Sequence, residues 1–315
     1  MIALDAIRSA RQTLTGTAVR TPLVRLYADA PAEIHLKLEN LQPIGSFKLR
    51  GAYNAAMRAP REDVARGLVT ASAGNMAQGV AWAARELGVT ATIVVPDTAP
   101  RTKVDAIERL GGRVVMVPFD EWWGVMESHR YDGAEGLFVH PVESDDVMAG
   151  NGTIGLELVE DLPDVDTVVV PVGGGGLISG IASAVKQLRP GTRVVAAQPE
   201  TAAALAASLA AGEAREIDYR ATWIDGAGAK LVLPRMWPLL EELVDDVAVV
   251  PLDDVADAVR LLAERVRVIA EGAGALSVAA ALAGRVGGKR VACIVSGGNI
   301  DSAVLARILN GETPG

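Results

Sequence analysis

The sequence predicts an α/β fold built as two three-layer α/β/α domains with mostly parallel sheets. Three observations predict it. Half of the 315 residues are apolar and 22% are charged, a globular composition with enough apolar surface for a sizeable core. Short β-branched runs are apolar along their whole length, the pattern of strands buried on both faces. Alanine-rich stretches of helical length separate those runs, as crossover helices separate parallel strands. Length divided by ~150 suggests about two domains.

In chain order, strands are predicted over 33–38, 67–71, 91–95, 113–118, 167–171, 193–198, 246–250 and 290–296. Helices are predicted over 76–87, 101–110, 176–188, 201–211, 252–269 and 272–283. No Ser/Pro-rich linker or solenoid repeat divides the chain, so two domains must meet through compact crossovers. The 19 residues after Ser296 provide for one short helix, and no appended regulatory domain is expected.

Composition also excludes classes. A formal charge of −9 disfavours nucleic acid as a partner. A single cysteine, Cys293, rules out an intrachain disulfide framework and fits a reducing compartment. His35, His129 and His140 do not have metal-ligand spacing and read as structural or surface residues. The apolar runs are strand-length, far short of the ~18 residues of a membrane span, and the first residues mix charge into a helical pattern. A cytoplasmic protein is expected.

Ligands of parallel sheets bind beyond the carboxyl ends of the strands, and four unusual segments fall there. Gly173, Gly174, Gly175 and Gly176 follow a strand and open a helix, so backbone N–H groups can approach an anion closely. The run has neither Walker nor clean dinucleotide spacing. Lys48 stands between Phe47 and Leu49. Alone it reads as a surface lysine at a helix start; desolvated, it is a nucleophile toward a carbonyl. Ser72-Ala-Gly-Asn75 offers N–H groups and an amide, suited either to a carboxylate or to a helix cap. Ser296, followed by two glycines, puts a hydroxyl at a strand terminus.

A phosphate cradle, a Schiff-base lysine, a carboxylate loop and a lone hydroxyl together describe a pyridoxal phosphate site. The stretches GSFKLRGA, TASAGNMAQG, VPVGGGGLISG, EGAGA and SGGN occur in this order across almost the whole chain. The sequence resembles the fold-type II pyridoxal phosphate enzymes, the tryptophan synthase β family, and within it the threonine/serine dehydratase and serine racemase branch. The resemblance implies a large cofactor-binding domain of residues 1–52 and 149–315, with residues 53–148 inserted as a small domain that carries the substrate loop.

The resemblance further implies that Lys48 bonds covalently to pyridoxal 5'-phosphate and serves as the catalytic base, and that Phe47 packs on the pyridine ring. Gly173, Gly174, Gly175, Gly176 and Leu177 would hold the phosphate through main-chain N–H groups. Asn75 would meet the phenolic oxygen and Ser296 the ring nitrogen. Ser72, Ala73, Gly74 and Asn75 would hold the substrate carboxylate, and Glu271 would stand near the ring. A serine hydroxyl cannot protonate the ring nitrogen, which makes the cofactor a weaker electron sink and favours prompt β-elimination.

Four departures from the family pattern bear on function. Ala73 stands where racemases carry a second base, so efficient racemisation is not expected. Gln198 and Ala204 stand where acidic cation ligands are usual, so no metal is expected there. Met76 replaces a histidine in the substrate loop, and Trp122 and Trp123 form an unusual aromatic pair. The pair reads either as core packing or as an entrance or subunit contact. Arg50 reads either as a phosphate aid or as a helix-surface salt bridge.

The function implied is dehydration and deamination of L-threonine or L-serine to a 2-oxo acid and ammonia, by a homodimer with no nucleic-acid or membrane partner. The alternatives are the same chemistry on 3-hydroxyaspartate, phenylserine or a hydroxyectoine-derived amino acid, a β-replacement synthase, and a non-catalytic phosphate-binding regulator.

Overall fold

The apolar runs assemble into two separate sheets in the computed structural model, which describes residues 1–314. The chain begins with α1 (Leu4–Thr13), β1 (Leu23–Leu26), β2 (Glu33–Leu38) and α2 (Lys48–Arg58). It continues through α3 (Arg61–Ala65), β3 (Leu68–Ala71), α4 (Asn75–Leu87), β4 (Ala91–Pro96), α5 (Arg101–Arg109), β5 (Arg113–Val117), α6 (Phe119–Ser128) and β6 (Leu137–Phe138). There follow α7 (Asp145–Asp161), β7 (Thr167–Pro171), α8 (Gly176–Leu188), β8 (Arg193–Pro199), α9 (Ala204–Ala211) and α10 (Trp237–Leu243). The last elements are β9 (Asp246–Val250), α11 (Leu252–Leu261), α12 (Gly272–Leu282), β10 (Arg290–Val295) and α13 (Ser302–Leu309).

The larger sheet has the order β1-β2-β10-β7-β8-β9, parallel except for the edge pair β1–β2. The smaller sheet, β5-β4-β3-β6, is wholly parallel and lies in sequence between the two halves of the larger. Side chains alternate across a strand, and here both faces are covered. In β7, Val168 and Val170 join the core with α1, α7 and α8, whereas Val169 joins the core with α11 and α12. In β4, Ile93 and Val95 pack toward α2 and α4, and Val94 toward α6. Unbroken apolar strands are thus the direct consequence of three-layer packing. No helix among the described residues is long and apolar enough to cross a membrane.

Several helices lie outside the predicted ranges, α3, α7 and α10 among them, and one predicted helix ends early. The 17-residue α7 was not predicted, because its glycines lower helix propensity. Packing explains them: a Cβ on Gly150 would sit 2.4 Å from the Arg50 carbonyl oxygen, and one on Gly155 2.8 Å from that of Ile181. The glycines let α2 and α8 approach α7 backbone to backbone. Ser144 caps the helix by accepting from the Val147 N–H at 3.3 Å. The helix predicted over 252–269 ends at Leu261, passes through a π turn at Leu262–Val266, and stops at Arg267 in the left-handed region, φ +66°.

Candidate active site

Strand ends and helix starts bring the predicted segments together. Lys48 opens α2 directly after Phe47, whose N–H donates to the Ser296 carbonyl at 3.0 Å. That bond, with the Gly298 N–H donating to the Gly45 carbonyl at 2.9 Å, ties the lysine segment to the end of β10. The Lys48 Nζ donates to the Pro141 carbonyl at 3.1 Å and lies 5.2 Å from the centre of the Phe47 ring. Desolvation lowers the Lys48 pKa to about 8, against the opposing pull of Glu271. An amine so placed is neutral in roughly a tenth of molecules at pH 7, far more than an ordinary lysine, and is then a nucleophile or a proton acceptor.

The glycine run leaves β7 and enters α8. Its glycines are sterically required: a Cβ on Gly174 would meet Val142 Cγ2 at 2.5 Å, and Gly175 has φ +96° with Leu240 Cδ1 at 3.0 Å from its Cβ position. Backbone N–H groups from Gly173 to Ile178 donate to no backbone acceptor among the described residues. They converge at the positive end of the α8 dipole, an arrangement suited to a phosphate. Leu177 is buried in the first turn. Val142 connects this loop to Lys48, since it directly follows the Pro141 that accepts from the amine.

The loop after β3 is partly committed to its own turn. The Ser72 N–H donates to the Val94 carbonyl at 3.0 Å, and the Gly74 N–H to Ser72 Oγ at 3.2 Å. Ala73 is half-buried beside them. Asn75, first residue of α4, donates from Nδ2 to Glu271 Oε1 at 2.7 Å and accepts from Asn299 Nδ2 at 2.7 Å. Asn299 also donates to the Ile44 carbonyl at 2.9 Å. Glu271 is buried just before α12, and desolvation raises its pKa to about 7 even though the Asn75 hydrogen bond favours the carboxylate. Ser296 is buried at the end of β10.

A cleft of 810 Å³ opens between α4 and α5 on one side and the larger sheet's loops on the other. Lys103 and Asp225, both in its wall, pair at 2.7 Å. The cleft reaches the lysine site through Glu271 and Asn299; neither Lys48 nor the glycine run lines it.

Met76 and Arg50 depart from expectation, whereas Trp122 takes the core-packing alternative and Cys293 sits buried in its apolar strand. Met76 is 2% exposed and packs in the core of the smaller sheet with Ala52, Val80 and Ile93, so its side chain is a packing group rather than part of an open loop face. Trp122 packs on the opposite face of that sheet, Trp123 is exposed, and neither lines the cleft. Arg50 is neither a phosphate aid nor a surface bridge. It is buried, donating to Glu39 at 2.8 and 2.9 Å and to Glu157 at 2.7 and 3.0 Å. Lys37 completes the network with a 2.6 Å contact to Glu157. Gln198 is buried, and its Oε1 accepts from the Leu205 and Ala206 N–H groups, capping α9. Cys293 is a buried core thiol whose pKa burial pushes up.

His140 is the site neighbour that sequence reasoning missed. No local pattern links it to Lys48, and only the fold brings the turn at 140–143 to the amine.

The sequence matches the family described as pyridoxal-phosphate dependent enzyme over residues 14–297. It is 45% identical to an L-threonine ammonia-lyase of Thermotoga maritima, covering 98% of this chain and 79% of that one. It is 39% identical to a catabolic L-threonine dehydratase of Staphylococcus aureus, covering 96% and 90%. Among solved structures, maize serine racemase superposes with a TM-score of 0.90 at 34% identity, covering 99% and 98% of the two chains. A tomato (Solanum lycopersicum) threonine deaminase, isoform 2 in its processed form, superposes with a TM-score of 0.86 at 33% identity, covering 97% and 87%.

Proposed function

The chain belongs to the pyridoxal-phosphate dependent enzyme family, and from that premise we propose that it is an ammonia-lyase converting L-threonine or L-serine to a 2-oxo acid and ammonia. The observation that carries the reading is Lys48: an amine with a lowered pKa, held on the Pro141 carbonyl, one residue from the Val142 that packs on the glycine loop.

The residues present fit pyridoxal phosphate. The glycine cradle is one that a Cβ would fill, and its N–H groups suit the phosphate. When bound, the cofactor supplies an aldehyde that condenses with amines and a ring that accepts electrons from the substrate Cα. Lys48 Nζ would be the attachment point and, when free, the base positioned to take the Cα proton. Phe47 would pack on the ring, Ser296 would donate to the ring nitrogen without ionising it, and Asn75 would donate to the phenolic oxygen. The 72–75 loop, at the N-terminus of α4, holds the substrate carboxylate. Loss of the β-hydroxyl as water, then addition of water to the unsaturated product, yields the 2-oxo acid and ammonia.

This reading includes a division of the chain into a large domain of residues 1–52 and 149–315 and a small domain of residues 53–148. The two separate sheets support it. The homodimer rests on the family resemblance and the cytoplasmic location on the single cysteine, the short apolar runs and the charged first residues; sedimentation of the purified protein tests the subunit count.

The second substrate class, an acidic β-hydroxy amino acid such as 3-hydroxyaspartate, gains nothing from the cleft wall, where Lys103 is paired with Asp225 and Arg109 stands among Asp105, Glu271 and Asp301. The deciding assay is 2-oxo acid release across threonine, serine, 3-hydroxyaspartate and phenylserine, with Lys48→Ala as control. Release from threonine or serine that the variant loses supports the proposal. Release from 3-hydroxyaspartate alone moves the substrate to the second class. Turnover only with an added thiol or amine replaces elimination by β-replacement.

A further inference from the structure

His140 immediately precedes the Pro141 whose carbonyl accepts from Lys48. Its Nδ1 accepts two backbone hydrogen bonds, from the Val142 N–H at 3.1 Å and from the Glu143 N–H at 2.7 Å. One ring nitrogen therefore closes the whole turn from 140 to 143. That turn touches the site at two points. Pro141 meets the Lys48 amine, and Val142 packs on the glycine loop, its carbonyl oxygen 3.2 Å from the Cβ position of Gly176.

His129 and Glu143 stand beside His140, and the three place ligand-type atoms within 4.8 Å of one another. That composition suggests a metal, but the hydrogen bonds argue otherwise. Two N–H donors claim the Nδ1 lone pair, so the proton of the neutral ring sits on Nε2, the atom that would have to bind the ion. Burial first, then the neighbouring His129 and the cations Lys48 and Arg235, lower the His140 pKa to about 4. The ring is neutral at working pH, and Nδ1 keeps its acceptor role.

We propose that His140 is a positioning residue: by accepting both N–H groups of its turn, it holds the Pro141 carbonyl against Lys48 and Val142 against the phosphate-binding loop. The proposal rests on reading the chain as a pyridoxal phosphate enzyme. His140 touches neither substrate nor cofactor in this scheme and acts only through the turn.

The test compares His140→Phe, which keeps a ring but no acceptor, with His140→Asn, whose Oδ1 matches the position of Nδ1. Both are made in the full chain. Three quantities are read: the Kd for pyridoxal phosphate, the Tm without cofactor, and kcat apart from KM. With two part-buried N–H groups left without their acceptor, His140→Phe binds the cofactor about tenfold more weakly and loses kcat by a similar factor, with a smaller change in KM. His140→Asn recovers most of both. A merely structural role would lower Tm and leave the Kd of the folded protein unchanged.

Cofactor affinity and kcat within about twofold of wild type in His140→Phe overturn the proposal. So does a His140→Asn variant no better than His140→Phe, because an acceptor restored at the Nδ1 position would then recover nothing. If His140→Phe does not fold, His140→Gln, with its acceptor one bond farther out, carries the same comparison. Wild-type protein that takes up no pyridoxal phosphate overturns the family-based reading and this proposal together, whereas uptake by wild type with an indifferent variant overturns only the role of His140.

Discussion

Asn75 Nδ2 donates to Glu271 Oε1 at 2.7 Å, and this contact joins the first residue of α4 to the residue that precedes α12. It links the two sheets at the mouth of the site and makes Glu271 the charge that acts on Lys48. Burial raises the Glu271 pKa from 4.5 to about 7, and burial lowers that of Lys48 from 10.5 to about 8.

The two shifts have opposite signs on the pH axis. The raised Glu271 contributes stability that is full below about pH 4.5 and lost as pH rises through 7. The depressed Lys48 contributes stability that is full above about pH 10.5 and lost as pH falls through 8. In cofactor-free protein, Glu271→Gln keeps the acceptor for Asn75 and removes the ionisation. Its Tm should therefore exceed that of wild type by a margin that grows from pH 4.5 to 7. Because the Glu271 charge raises the Lys48 pKa, the same variant should shift acylation of Lys48, followed by mass spectrometry, to a midpoint below about 8. An unchanged midpoint would remove Glu271 from the electrostatics of the lysine.

Gly174→Ala forces a Cβ to within 2.5 Å of Val142 Cγ2. The turn at 140–143 and the glycine loop then cannot keep their present separation. We expect the affinity for pyridoxal phosphate, titrated by absorbance, to fall by about tenfold or more, on the ~1.4 kcal/mol that such overpacking commonly exceeds. Gly191→Ala, with nothing within 4 Å of its Cβ position, is the control that should leave affinity unchanged.

Arg50→Met leaves the buried Glu39 and Glu157 with only Lys37 as a cation partner. Burial pushes the Glu39 carboxyl up, yet Arg50 pulls it below the usual carboxylate range on balance, so the pair depends on that cation. Removing one member of a buried pair costs about 3–5 kcal/mol. Denaturant unfolding of the variant should show a loss of this size. A loss under about 1 kcal/mol, the size of an exposed pair, would mean that the network contributes little to anchoring α2.

Met76 separates packing from substrate selection. As a core side chain, Met76→Leu should cost less than about 1.5 kcal/mol and Met76→Ala about 2–5 kcal/mol, with the preference among β-hydroxy amino acids unchanged in both. A change of preferred substrate in the stable Met76→Leu variant would return the residue to the substrate loop.

Much of the fold is legible in the chain because its signals are local. Eight predicted strands fall on observed strands, since β-branched runs such as Val168–Val169–Val170 serve cores on both faces of a sheet. The glycine run announces its loop because four residues without Cβ have few other uses. In three of the unpredicted elements, tertiary contact overrides propensity. α7 carries glycines that weaken it as an isolated helix and let α2 and α8 reach it. The short strands β1 and β6 exist because a longer neighbour offers each an edge.

By itself, the sequence determined the layered α/β class, the order of the loops at the strand ends, and the placing of Lys48 at a helix start. Each of these is a property of residues a few positions apart. Only the tertiary structure decided that Lys48 rests on a carbonyl 93 residues away, that Arg50 belongs to a buried network, and that His140 organises the turn between amine and glycine loop. These depend on which groups are withdrawn from water together. Desolvation and hydrogen-bond satisfaction act across space, so residue type and spacing along the chain do not encode them.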